Sequence, residues 1–390
     1  MKGKTLGILL VAALVLGGLG YLASKREAAR FDESKVGMGA KVLDKFDPND
    51  VAAIRIVAST NQLRVSRKGD IWVVADRGDY PANFGTIAEF LRKLGDLKVS
   101  RPVEVGPSRY AALDLVDPAK GGGVRVELLG ADGKKLRSLL LGKKHMRGGE
   151  DNSPMGGGYP DGRYLLVEGE PKVVALVSDA LASAEPRAED WLNKDFVKVE
   201  LPREIEVIRA EATNSFRLSR TNEFAEWQLV GIKDGEKLDT AKTGAFSTVF
   251  NATTLNDVVA NPDPAALGLD KPTVARIQTT TGFSYEFKFG KPQANEDYPV
   301  QVQVSAKFPE PAKDEKPEDK EKRAKQQEKL KSEQAFSKYT FLMAKWTADA
   351  LLKNRGDLLV GAKPEGAKGG EGEAPGGLPA GFKIPGLPGN

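Results

Sequence analysis

An internal duplication limits this chain more than any other feature, because each copy must make the same kind of sheet. Ala111-Ala112-Leu113-Asp114-Leu115-Val116-Asp117-Pro118 returns as Ala265-Ala266-Leu267-Gly268-Leu269-Asp270-Lys271-Pro272, an offset of 154. The same offset sets Ile54-Arg55 on Ile208-Arg209, and Trp72 falls on Trp227 at 155. Gly142-Lys143 then matches Gly290-Lys291 after a shorter intervening stretch. Four landmarks in one order are improbable by chance.

Each copy follows one grammar. Strands are expected over Val51–Ala58 and Gln62–Arg67 in the first copy, and over Glu206–Ala212 and Ser215–Arg220 in the second. A strand bearing the Trp follows, Ile71–Ala75 or Trp227–Ile232. Next comes a helix. In Asn83–Leu97, Phe84, Ile87, Phe90, Leu91, Leu94 and Leu97 recur at spacings of three and four, with Asn83 as N-cap. Its counterpart is Thr243–Val259, with Phe246, Val249 and Phe250 on one face.

A hairpin follows the Ala-Ala-Leu motif. Val124, Val126 and Leu128 alternate before an Asp132-Gly133 turn, and Phe283, Tyr285, Phe287 and Phe289 alternate strictly. One more strand, Arg163–Val167 or Lys338–Met343, and a short helix, Lys172–Ala182 or Ala344–Lys353, close each copy. Strands arriving as hairpins between helices predict an α+β fold. It consists of an N-terminal transmembrane helix followed by two tandem repeats of a mainly antiparallel sheet with packed helices.

The expected organisation is a signal-anchor at residues 1–23, a linker at 24–45, a first repeat at 46–198 and a second at 199–360. A Gly-rich loop, His145–Gly162, departs from the first copy. A charged arm at 307–333 departs from the second and reads as a solvated helix or a disordered arm. Residues 361–390 form a Gly- and Pro-rich tail with the composition of disorder.

Thr5 to Ala23 holds nineteen residues without a charge, preceded by Lys2 and Lys4. At about 1.5 Å per residue, such a helix nearly covers a hydrocarbon core of about 30 Å. A cleaved signal peptide is the competing reading, but its apolar region is shorter and a cut after Ala23 would put Tyr21 at −3. Lys25, Arg26 and Arg30 follow the span, so flanking charge favours neither side. A protein with a single N-terminal span exports its body as a rule. The expectation is therefore a single pass through the cytoplasmic membrane at residues 5–23, with the body on the periplasmic side.

Charge excludes one class of partner. The 58 Lys and Arg face 54 Asp and Glu, giving +4, and the two signs alternate along the chain. Nucleic-acid binders concentrate positive charge on a face or stripe, so none is expected here. There is no cysteine, which removes disulfides, thiolate nucleophiles and Cys-bound zinc.

Several of these landmarks resemble a known pattern. Trp72, Tyr80-Pro81-Ala82, Tyr110-Ala111-Ala112-Leu113 and Leu141-Gly142-Lys143 resemble the bacterial family catalogued as domain of unknown function 4340. Pro264-Ala265-Ala266-Leu267-Gly268-Leu269 and Phe289-Gly290-Lys291 repeat the pattern, and the resemblance covers roughly residues 45–360. Asp114 stands where the pattern has glycine, and residues 80–82 lack a match in the second copy. The resemblance implies an envelope protein with one N-terminal span, linked with ABC-transporter permeases and gliding-type auxiliary proteins. It implies no catalytic residue.

Chemistry has few candidates. His145, the single histidine, sits beside Lys143, Lys144 and Arg147 in the Gly-rich loop and reads as a solvated loop residue. Glu150, Asp151, Asn152 and Asp161 offer oxygen ligands without EF-hand spacing, so no metal site is assigned. Gly130-Ala131-Asp132-Gly133-Lys134 is too short for a P-loop and reads as a turn. The paired Gly142-Lys143 and Gly290-Lys291 read as strand-ending glycines, not anion sites. Trp72 and Trp227 read as core. No catalytic residue, cofactor or metal is expected. The chain is expected to be a non-enzymatic, membrane-anchored interaction protein, an accessory of an ABC-transporter-like envelope complex. The alternative is a cell-wall carbohydrate-binding protein or a carboxylate-dependent hydrolase.

Overall fold

Alternation of apolar and polar residues builds two large sheets. In β1 (Ala53–Val57), Ile54 and Ile56 are sealed from solvent while Arg55 is exposed. The same period-two pattern places Leu63 and Val65 of β2 (Gln62–Lys68) on the inner face. The computed structural model describes residues 37–147, 158–169, 173–311 and 316–361. The apolar segment 5–23, most of the linker and the tail beyond residue 361 lie outside the described residues.

The first sheet adds β3 (Ile71–Val74), β4 (Tyr80–Pro81), β5 (Val99–Pro102), β6 (Val124–Leu129), β7 (Lys135–Arg147), β8 (Tyr159–Val167) and β9 (Val173–Val177). Its nine strands run in the order β4-β3-β2-β1-β6-β7-β8-β9-β5. The second is built from β10 (Pro202–Ile208), β11 (Phe216–Ser219), β12 (Gln228–Leu229), β13 (Asp257–Val259), β14 (Thr273–Thr279), β15 (Phe283–Phe289), β16 (Tyr298–Ala306) and β17 (Thr340–Met343). Its eight strands run β12-β11-β10-β14-β15-β16-β17-β13. Strand for strand this is the first order again, without a partner for β4. All the ladders among the described residues are antiparallel.

The registers correct one landmark. With Gly142 set on Gly290, the ladders carry Val126 to Ala275, Ile56 to Val207 and Ile54 to Ile205. Ile208 therefore lies out of phase with Ile54, on the opposite face, and the Ile-Arg match of the sequence is a coincidence. Trp72 and Trp227 do coincide, because Val65 pairs with Val74 as Leu218 pairs with Leu229.

The expected α+β fold with packed helices gives way to two antiparallel sheets with few helices, and the N-terminal transmembrane helix expected with it falls outside the described residues. No helix among the described residues is long and apolar enough to cross a membrane. Helix α1 (Phe84–Asp96) forms where the 3.6-residue period placed it, capped by Asn83 and burying Ile87, Phe90, Leu91 and Leu94. Its counterpart does not form. Residues 243–259 make one short 3-10 turn (Gly244–Ser247) and then β13. That stretch is rich in Thr, Ser, Asn and Val, which favour turns and strands over helix, and Phe250 takes φ +55°.

Within the expected helix Lys172–Ala182, Val173–Val177 is strand β9 instead. Ala175 and Val177 face the main core while Val174 joins a second cluster on the opposite face. A strand buried on both faces shows a continuous apolar run, which periodicity alone does not separate from a helix. The true counterpart of Lys338–Met343 is thus β9, and Arg163–Val167 belongs to the longer β8. Of the expected helix Ala344–Lys353, α3 covers the four residues Lys345–Ala348. Within the charged arm at 307–333, helix α2 (Pro317–Gln334) forms the later part.

The duplicated Ala-Ala-Leu turn now has a reason. It covers the outer face of the first sheet, where Tyr110, Leu113 and Leu115 pack with Leu140, Leu166 and Val174. A Cβ on Gly142 would sit 2.1 Å from the Leu113 carbonyl oxygen, and one on Gly290 2.1 Å from that of Leu267. Both glycines are held by backbone contact; Gly290 does follow the end of β15, whereas β7 runs on past Gly142. The freed Gly142 carbonyl accepts a 2.9 Å bond from buried Arg163 Nε. Gly268 takes φ +70°, and its equivalent Asp114 takes φ +56°, a left-handed position costly for a residue with a Cβ.

The two sheets share one core. The segment joining them threads Trp191, Leu192, Phe196 and Val197 into a single apolar cluster that takes in both inner faces. The Phe196 ring lies 5.0 Å from Phe341 and 6.0 Å from Phe250. From the first repeat, Tyr80 meets Tyr339 edge-on at 4.8 Å. Beside this contact Arg77 grips Asp257 with both fork nitrogens, at 2.7 and 2.8 Å, and the two side chains are 24% and 22% exposed. A bidentate, partly sheltered pair is geometrically specific.

Three outcomes follow for urea unfolding. Asp114→Gly gains about 0.5–1 kcal/mol by relieving the left-handed strain, after the entropic cost of glycine. Gly142→Ala loses at least about 2 kcal/mol, since backbone must move. Arg77→Ala loses about 1–3 kcal/mol by stranding Asp257 at the seam.

Candidate functional site

Along the inner face of β2 and β3 the apolar row Leu63, Val65, Val74 ends in Arg67 and Trp72, which are paired across the ladder. Helix α1 lies over this end of the sheet. Its first residue, Phe84, is 67% exposed at the rim, while Ile87 and Leu91 dip under it. The 3-10 turn Pro48–Asp50, fixed by Asp47 accepting from the Asn49 amide at 2.8 Å, forms the opposite wall. Between them is a groove of about 390 Å³ whose lining includes Asn49, Arg67, Asp70, Trp72, Phe84 and Arg92. That volume and the mixture of apolar walls with a few polar groups suit a small-ligand site.

The second repeat closes the same corner. Arg220 lies over the Trp227 ring at 4.6 Å and donates to Pro202 O, Glu223 O and Ser247 Oγ. Trp227 Nε1 donates to Ser247 Oγ at 3.0 Å, and fully buried Phe246 packs against the ring edge-on. Trp227 is core, as its sequence position suggested. Trp72 is half-buried and lines an open groove, a role the sequence did not distinguish.

Helix α2 makes a second cleft. It has no apolar face, and its one buried residue is Glu333 in the last turn. Glu333 accepts from the Lys198 amide at 2.9 Å and from the Tyr285 hydroxyl at 2.9 Å. Lys329 reaches Lys198 O and Glu200, at 2.8 and 2.7 Å. Burial pushes the Glu333 carboxyl above its usual range, against the pull of the Lys198 amide, Lys329 and Tyr285. Toward its other end the helix stands off the sheet over a cleft of about 460 Å³ lined by charged side chains and Phe283.

The remaining candidates fall in place as follows. His145 is on strand β7, not in a loop, and its Nδ1 meets Asp161 Oδ1 of β8 at 2.6 Å. That contact holds the Asp161 carboxyl below its ordinary range. Asp orients imidazole in this way in a triad, yet no hydroxyl or thiol is bonded to His145 among the described residues. Glu150, Asp151 and Asn152 lie outside the described residues. Among the described residues no group of three or more His, Cys, Asp or Glu is placed to hold a metal ion. Gly130–Lys134 is a turn, with Gly133 at φ +75°.

The family described as a domain of unknown function, DUF4340, matches residues 72–272, just over half of the chain. The match runs from Trp72 through the seam to the second Ala-Ala-Leu turn, a shorter span than the resemblance suggested. No curated protein and no solved structure matches the chain.

The buried carboxylate makes a testable demand. A glutamate with a raised folded-state pKa costs stability when it ionises, so the cost is absent below the usual glutamate range and grows as pH rises through the folded pKa. Glu333→Gln keeps an oxygen for Lys198 and Tyr285. Urea unfolding should therefore find it as stable as the parent at pH 4 and more stable at pH 8.

Proposed function

We propose that this chain, which belongs to the DUF4340 family, is a non-catalytic binding and scaffolding protein of a bacterial cell envelope. Residues 5–23 hold it at the cytoplasmic membrane, and the body on the extracytoplasmic side presents its two repeats to a membrane protein complex of the ABC-transporter type. The observation that carries this reading is the seam. A shared aromatic core and the Arg77–Asp257 fork join the repeats into one body, which suits a part that must hold surfaces at a fixed spacing. The uncharged run of nineteen residues supports the placement. The exposed rings of Phe224 and Trp346, 91% and 76% accessible, supply apolar contacts of the kind interfaces use.

Photo-crosslinking in the native host tests it. A benzoylphenylalanine at position 224 or 346 should yield an adduct with a membrane-embedded permease, and protease added to spheroplasts should digest the body. Full protection of the body in spheroplasts would refute the placement. Failure of both probes to reach any membrane protein would refute the partner.

A further inference from the structure

We propose that the open corner at Trp72 is a binding site for an acidic carbohydrate, a function beyond scaffolding. The duplication acts as an internal control. Both repeats carry an Arg–Trp pair at the same register position, Arg67 with Trp72 and Arg220 with Trp227. In the second repeat every feature of the pair is consumed internally. Arg220 is 8% exposed and spends its nitrogens on two carbonyls and a hydroxyl, the indole N–H is bonded, and Phe246 seals the space.

In the first repeat the same groups are left available. Arg67 donates from Nε to Gly69 O at 3.2 Å, and its terminal nitrogens meet no acceptor among the described residues. The Trp72 indole N–H likewise meets none. Arg92, on the facing helix, has a 3.9 Å pair with Asp96 in which both side chains are more than 60% exposed. Such a pair is too weak to hold the guanidinium back. The groove thus combines two aromatic rings, a free indole N–H and two guanidinium groups against one carboxylate, Asp70.

These groups define the ligand. The flat faces of Trp72 and Phe84 take the C–H face of a sugar ring. Arg67 and Arg92 take a carboxylate, which guanidinium binds with a two-pronged geometry. Asp70 and Asn49 remain for hydroxyl and amide groups. A peptide strand is disfavoured, because the backbone of Arg67 and Trp72 is already committed to the β2–β3 ladder and offers no edge. A nucleotide shares the ring-plus-anion chemistry. Sugar acids are the rings of this kind outside the cytoplasmic membrane, and this choice rests on the placement proposed above.

Calorimetry and Trp fluorescence on the purified chain test the site independently of cellular location. The probe is the disaccharide of N-acetylglucosamine and N-acetylmuramic acid, with neutral diacetylchitobiose and AMP as comparisons. The acidic disaccharide should bind, and the neutral one should bind at least tenfold more weakly. Arg67→Ala and Phe84→Ala alter exposed side chains, so the fold survives, and each should weaken binding about tenfold or more. Trp346→Ala should leave it unchanged. Absence of binding, equal affinity for the neutral sugar, tighter binding of AMP, or indifference to Arg67→Ala and Phe84→Ala would each overturn the assignment. None of those results would touch the scaffolding reading, which is read by crosslinking.

Discussion

The contact on which the rest depends is the packing of the connecting segment, Trp191 to Val199, between the two inner faces. Each sheet alone would present a broad apolar face to water, a liability that sheets relieve by packing against another layer. Here the layer is supplied jointly: helix α1 over part of the first sheet, the connecting segment in the middle, and the 3-10 turns with Phe246 and Phe250 over the second. Phe196 touches rings contributed by several elements of the second repeat. The repeats are therefore covalently tandem but energetically one body, and Arg77 with Asp257 sets their register at the edge of that core.

Duplication and divergence then explain where a site can exist. A doubled sheet needs the same corners twice, and the Arg–Trp pair appears at both. The second copy has a turn in place of the helix because its sequence favours turns, and that short turn brings Phe246 and Ser247 down onto Trp227. The first copy has helix α1 over the same corner. It leaves Phe84 at the rim and a groove beneath. The groove is thus open where the matching corner of the second repeat is filled by Phe246 and Ser247.

Helix α2 follows a different rule. A helix whose one apolar contact with the core is Leu330 is not held by burial of a stripe. Its last turn is fixed by Glu333 and Lys329, which engage Lys198, Tyr285 and Glu200. Burying the Glu333 carboxylate is unfavourable, and its hydrogen bonds offset that cost. The tie is local, and the opposite end of the helix stands over a cleft.

The residue pattern by itself determined strands such as β1, β2 and β15, the duplication, the helix at 84–96 and the Asp132-Gly133 turn, because these rest on local periodicity and backbone chemistry. It also marked Gly142 and Gly290 as equivalent, though not why: the reason is a carbonyl from a turn that is distant in sequence. Tertiary structure decided the rest. Whether Val173–Val177 is helix or strand depends on being buried from both sides. Whether Ile208 corresponds to Ile54 depends on ladder register, where one residue reverses the face. Whether a Trp is core or groove wall depends on what lies above it. Trp72 and Trp227 are the same residue at the same position of the same repeat, and the packing over them, not their sequence context, makes one a wall and the other a core.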